Sequence, residues 1–133
     1  MYRTLIVEDN ASFRQLLKAV LHSRFPTIEI IEVADGRRAL EEIEIFPPNF
    51  IFMDICLPGE NGLELTRKIK ANHPDIIITI ITSHDILEYR EAAKQAKADF
   101  FISKSASIRE FRNMLESIFV LAPPYSVLHS TAF

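Results

Sequence analysis

Five short apolar runs recur along the chain: LIV from Leu5, IEIIEV from Ile28, FIFM from Phe50, IIITII from Ile76 and FFI from Phe100. Each is short, and most are rich in β-branched or aromatic residues, which predicts strands. The stretches between them change period. Phe13, Leu16, Leu17, Val20 and Leu21 form one helical stripe, and Ala39, Leu40 and Ile43 a second. Leu65 and Ile69 lie on a third, Ala92, Ala93 and Ala96 make a weak fourth, and Ile108, Phe111, Leu115, Ile118 and Phe119 a strong fifth. Cap-forming residues place helix starts at Asn10 or Ser12, Asp35, Asn61, Ser83 or Asp85, and Ser105 or Ser107. Strands alternating with helices imply parallel pairing through right-handed crossovers, hence an α/β three-layer sandwich. FIFM and IIITII read as central strands buried on both faces, whereas Glu29 and Glu32 mark IEIIEV as an edge.

Length and composition narrow the class. The chain has 133 residues, 48% hydrophobic and 25% charged, enough for one domain with a real core. A net charge of −3 argues against a dedicated nucleic-acid surface, which needs clustered Lys and Arg. The single cysteine, Cys56, excludes an intrachain disulfide and a cysteine-built zinc site. The first residues, MYRTLIVEDN, show no basic-then-apolar leader, and the uncharged stretch after Ser117 is interrupted by Pro123-Pro124. A cytoplasmic domain outside the membrane is the expectation. Residues 1–121 read as that domain, and residues 122–133, without periodicity, as a tail or the start of a linker.

The candidate chemistry appears when polar residues are placed on this scheme. Glu8 and Asp9 follow the first strand, Asp54 the third, Thr82 and Ser83 the fourth, and Lys104 the fifth. In a parallel sheet these positions share the carboxyl edge, where open α/β folds bind ligands. Alone, each has an ordinary reading: a strand-end cap, a helix-entry pair favoured by the dipole, or a solvated lysine. Together they put three carboxylates, a hydroxyl and an amine in one crevice. Carboxylates about 4 Å apart repel by about 1 kcal/mol in water and by several times that at a partly buried site. A hard divalent cation relieves this, and Mg²⁺ suits one or two carboxylates, waters and a phosphate oxygen. The inventory describes a phosphoryl site with an aspartate nucleophile.

On the residues VEDN (Glu8-Asp9), DICLPGENG (Asp54, with Pro58 and Gly62 beyond it), IITS (Thr82) and FFISKS (Phe101, Lys104), the chain resembles the receiver domain of two-component response regulators. The likeness runs from about Arg3 to Leu121. It implies a flavodoxin-like five-stranded parallel sheet of order 2-1-3-4-5 with five helices. It implies that Asp54 accepts a phosphoryl group from a phosphohistidine of a sensor histidine kinase or histidine phosphotransfer protein. Mg²⁺ would be held by Asp9 directly, by Glu8 through water, by Asp54 and by the backbone carbonyl of Cys56. Thr82 and Lys104 would bind the phosphoryl oxygens, Thr82 and Phe101 would form the switch, and the face of the fourth helix, fifth strand and fifth helix would change. The role is regulatory, limited to self-catalysed phosphotransfer and slow dephosphorylation. Homodimerisation through that face, and no contact of this domain with nucleic acid, complete the expectation. Family members commonly carry proline after the lysine; Ser105 stands there instead, a feature of the branch with helix-turn-helix output domains, so a transcriptional role is implied.

Other aspartate-based folds fit less well. A haloacid-dehalogenase-like phosphatase needs a second aspartate where Cys56 stands, and a dinucleotide-binding or flavin-binding fold needs a Gly-rich or Ser/Thr-rich loop after the first strand. The remaining alternative is a receiver-like interaction module that works without phosphate.

Overall fold

The computed structural model describes residues 2–120; the boundary expected at residue 121 and the segment 122–133 lie outside them. Strands β1 (Arg3–Val7), β2 (Glu29–Val33), β3 (Phe50–Asp54), β4 (Ile77–Thr82) and β5 (Phe100–Ser103) alternate with helices α1 (Ala11–Arg24), α2 (Gly36–Ile45), α3 (Gly62–Asn72), α4 (Leu87–Gln95) and α5 (Ile108–Val120). The sheet order is β2-β1-β3-β4-β5 and every pairing is parallel. A short antiparallel ladder, Cys56–Leu57 against Glu60–Asn61, closes the loop between β3 and α3.

Alternation along the strands decides the layers, because successive side chains leave opposite faces of a sheet. Leu5, Val7, Ile51, Met53, Ile78 and Ile80 pack with Ala39, Ile43, Leu65, Ile69 and Ala93, so α2, α3 and α4 cover one face. Ile6, Phe50, Phe52, Ile77 and Ile81 pack with Leu17, Leu21, Leu115, Ile118 and Phe119, so α1 and α5 cover the other. Each such Val, Leu, Ile, Met or Phe side chain taken from water stabilises the fold by about 1.5–3 kcal/mol. β2 is the edge its glutamates indicated. Glu29 meets Arg3 at 2.9 Å, and Glu32 meets Arg14 and Lys18, both at 3.3 Å.

Four helix starts follow the caps read from the sequence. Asn10 accepts the Phe13 N–H at 3.0 Å, Asp35 that of Arg38 at 2.9 Å, and Asn61 that of Leu63 at 2.7 Å. At α5 the Ser107 hydroxyl accepts the Glu110 N–H at 3.1 Å while the Glu110 carboxylate accepts the Ser107 N–H at 3.4 Å, a capping box. α4 differs. It begins at Leu87, after Ile86, with no side-chain cap, not at Ser83 or Asp85. The cause is competition: the Asp85 carboxylate is taken by Arg90 at 2.6 and 2.9 Å, and the Ser83 hydroxyl lies 3.4 Å from His84 Nδ1.

Candidate functional site

The carboxyl edge collects the predicted side chains because each strand stops there in register. Val7 pairs with Met53, Asp54 with Ile81, and Thr82 with Ser103, so residues 8, 9, 54, 82 and 104 all fall at one end of the sheet. The Glu8 N–H donates to the Val33 carbonyl at 3.0 Å, and the Lys104 N–H to the Thr82 carbonyl at 2.8 Å, extending the strands' order into the site.

Glu8, Asp9 and Asp54 place carboxylate oxygens within 4.8 Å of one another. Glu8 is 3% exposed and Asp54 6%, whereas Asp9 is open to solvent, so two of the three charges have lost most of their water. Burial first, and then the neighbouring Glu8 charge, raise the Asp54 carboxyl from 3.8 to about 6; Lys104 and the Cys56 backbone N–H oppose the rise. Lys104 forms an ion pair with Glu8 Oε1 and stands 3.6 Å from Asp54 Oδ2. Its ammonium also lies 4.7 Å from the centre of the Phe13 ring, which keeps water from one side of the amine. Lys104 is paired with two of the three carboxylates, which leaves the cluster short of positive charge. A cluster of hard oxygen donors with an open member suits a divalent cation such as Mg²⁺.

Glu8 is fixed more firmly than the sequence suggested. Its Oε2 accepts the Asn10 N–H at 3.0 Å, and Arg14 Nη1 donates to its backbone carbonyl at 2.6 Å. Asn10, Phe13 and Arg14 were legible only as parts of a helix start; their second role required knowing that α1 begins directly over the acidic pair.

On the other side of Asp54 the chain turns sharply. The Gly62 N–H donates to the Ile55 carbonyl at 2.8 Å, and a Cβ on Gly62 would stand 1.9 Å from the Asp54 carbonyl oxygen. Only glycine permits that approach. Cys56 is exposed, with its N–H directed to the Asp54 carboxylate.

Thr82 is fully buried at the end of β4, and its hydroxyl oxygen accepts the His84 N–H at 3.1 Å, leaving its own proton to donate. Phe101 does not join the acidic cluster. It pairs in register with Ile80, is partly exposed, and lies under the Arg90 guanidinium at 4.6 Å. Ser105, in the place of the common proline, donates its N–H to Ser103 Oγ at 3.1 Å, and the two hydroxyl oxygens are 2.7 Å apart. A proline could not make that amide bond.

Residues 4–116 match the family model of the response regulator receiver domain, and the chain belongs to that family. It is 30% identical over 108 residues to the response regulator MprA of Mycolicibacterium vanbaalenii, covering 81% of this chain and 46% of that protein. It is 28% identical over 126 residues to the transcriptional regulatory protein DegU of Brevibacillus brevis, covering 94% and 52%. A two-component response regulator of the LuxR family from Aurantimonas superposes with a TM-score of 0.82 at 26% identity, covering 95% of this chain and 93% of that one. The chain thus spans about half the length of these curated relatives. Its place is phosphorylation-based two-component signalling, in a regulatory capacity. Among the described residues no helix is long and apolar enough to cross a membrane.

Proposed function

We propose that Asp54 accepts a phosphoryl group from a phosphohistidine on a sensor histidine kinase or histidine phosphotransfer protein. The observation that carries this reading is the convergence of Glu8, Asp9 and Asp54 within 4.8 Å, with Lys104 3.6 Å from Asp54. Glu8, Asp9, Asp54 and the Cys56 backbone carbonyl would hold Mg²⁺, which when bound supplies positive charge to the phosphoryl oxygens and keeps Asp54 ionised. An Asp54 carboxylate oxygen forms the new bond to phosphorus as the bond from phosphorus to the donor imidazole nitrogen breaks. The electron pair goes to that nitrogen, which leaves as neutral imidazole after taking a proton. Lys104 balances charge on the transferred group, and the Thr82 hydroxyl donates to one of its oxygens. The product is a mixed anhydride, and water returns the carboxylate, so the mark is temporary.

The readout lies on the α4–β5–α5 face. Thr82 drawn toward the phosphoryl group vacates space that Phe101 fills, a population shift between two packings. That face would then act on an output domain, a partner or a second copy of the chain; a transcriptional output fits the description of the DegU relative. The kinase or phosphotransfer protein would dock beside α1 and the site loops, and the domain itself would make no nucleic-acid contact. His84 and Cys56, both exposed, flank the site and would set the hydrolysis rate. An unchanged dephosphorylation rate in a His84 variant would remove that role.

Incubation with Mg²⁺ and acetyl phosphate, followed by intact mass, tests the main reading. One phosphoryl group is expected on the wild type, and none on Asp54→Asn or without the metal. No metal-dependent gain on the wild type would leave an interaction module that works without phosphate. Sedimentation with and without the donor tests dimerisation.

A further inference from the structure

We propose that Asp85 and Arg90 form a latch over Phe101 that holds the resting packing of the switch face. The proposal deepens the phosphorylation reading above and rests on it for its regulatory meaning.

Phe101 lacks a hydroxyl, so no hydrogen bond from its ring can fix its orientation. The Arg90 guanidinium lies over one face of the ring. Arg90 lies 4.6 Å over the ring centre and grips Asp85 with two parallel bonds, Nε to Oδ1 at 2.6 Å and Nη2 to Oδ2 at 2.9 Å. The hydrogen bond from Arg90 also holds the Asp85 carboxyl below its ordinary range. Arg90 is on α4, Asp85 in the loop that follows Thr82, and Phe101 on β5, so a single side chain ties together the three pieces that switching must move. Arg90 and Phe101 together line two depressions of about 460 and 300 Å³ on this face, one toward α5 and one toward α4. They form the ridge between them.

The rest of the loop is lightly held. α4 has no side-chain cap, and Ile86 and Leu87 at its start are 46% and 68% exposed. An exposed carboxylate–guanidinium pair alone contributes little, but here the flat fork is aligned by Asp85 and stacked on the ring. Inward rotation of Phe101 separates ring from guanidinium, and movement of the loop with Thr82 strains the Asp85 grip. Both changes oppose switching, and both disappear with Arg90.

The test uses the full chain labelled with 4-fluorophenylalanine, its residue-101 signal assigned by the signal missing from Phe101→Leu. Fluorine spectra are recorded for wild type, Arg90→Gln, Asp85→Asn, the double variant and Arg90→Lys, with Mg²⁺ alone. Labelling by acetyl phosphate is then timed by intact mass. Before any donor is added, Arg90→Gln and Asp85→Asn should move the residue-101 signal toward its position in the phosphorylated wild type. They should label about threefold to fivefold faster, because the competent packing is more populated. The double variant should match the Arg90 single variant, and Arg90→Lys, which keeps the charge without the fork, should fall between. A labelled wild type with unchanged rates and signals in the variants would overturn the latch, as would additive effects of the two changes. If the wild type takes no phosphate, the phosphorylation reading fails separately. The latch is then judged by the signal before donor addition, where a shift shared by Arg90→Gln and Asp85→Asn supports it and an unmoved signal overturns it.

Discussion

The loops that leave β3 and β4 carry neighbouring parts of one site, yet they are built in opposite ways. After Asp54 the chain is closed by a small ladder, by Gly62 donating to Ile55, and by Asn61 capping α3, which buries Leu63, Leu65, Thr66 and Ile69. After Thr82 it runs through four exposed residues to an uncapped helix of which Ala93 is the one residue buried. The first arrangement holds the Asp54 carboxylate still; the second leaves the Thr82 hydroxyl and the start of a helix lightly held. Regions that move in signalling come from the weakly held end of a structure, and here both ends lie on adjacent strands.

The largest effect is expected where the rigid loop is tightest. Gly62→Ala puts a methyl group 1.9 Å from the Asp54 carbonyl oxygen, and backbone cannot yield as a side-chain tip can. The fold should lose about 3 kcal/mol or more in urea titrations, and acetyl phosphate labelling should vanish with it. A near-normal Gly62→Ala would show that this loop gives way as the other does.

The next effect is electrostatic. The Asp54 carboxyl is raised from 3.8 to about 6 in the folded chain, so the folded state binds the proton more tightly than the unfolded state does. The stability this group contributes is therefore full below about pH 4 and is lost as pH rises through about 6. Without metal, Asp54→Asn should be more stable than wild type by about 1–2 kcal/mol at pH 8, water beside Asp9 screening part of the effect, and by little at pH 4. Added Mg²⁺ should stabilise the wild type and close the gap. Thermal unfolding at both pH values, with and without Mg²⁺, measures it; a gap that grows toward low pH would contradict the assignment.

The rigid half was legible in the sequence and the loose half less so. FIFMD, ending at a carboxylate with glycine eight residues on, states the third strand, its stop and its turn in local chemistry. Asn10, Asp35, Asn61 and Ser107 cap what cap residues predict. Ser83 and Asp85 read as caps by the same rule, but Asp85 is held by Arg90, a residue five positions on whose aim depends on the helix it occupies. Lys104 over Phe13, Arg14 on the Glu8 carbonyl and Arg90 over Phe101 are likewise contacts of long, flexible side chains. Apolar period and cap type say where backbone goes; they do not say which of several partners a guanidinium or ammonium will choose.

Giving α4 what α3 has should narrow the difference. Ile86 sits at the N-cap of α4 with φ −121° and ψ 155°, the extended geometry in which Asn61 caps α3, and 46% of it is exposed. Ile86→Asn should therefore add about 1 kcal/mol of stability. Amides in the first turn of α4 should exchange with solvent more slowly, while those of α3 stay unchanged. If α4 must loosen for the switch to turn, acetyl phosphate labelling should also slow. Stability gained with no change in exchange at α4 would mean that the helix start was already fixed by other contacts.

The smallest effect is expected at the other end of the same helix. Lys97 follows the last turn of α4 at φ 73°, while its N–H donates to the Lys94 carbonyl at 3.0 Å and that of Ala98 to the Ala93 carbonyl at 3.0 Å. This left-handed closure suits glycine, and a lysine there bears the crowding of its Cβ with the backbone. Lys97→Gly relieves that strain, and the greater freedom of glycine in the unfolded chain offsets part of the gain. A net stabilisation of about 0.5 kcal/mol is expected, read as a raised urea midpoint with an unchanged slope. Because the side chain is exposed and distant from the acidic cluster, labelling by acetyl phosphate should stay at the wild-type rate. A slowed rate would mean that the far end of α4 also takes part in switching, and would place the flexible unit over the whole helix instead of at its start.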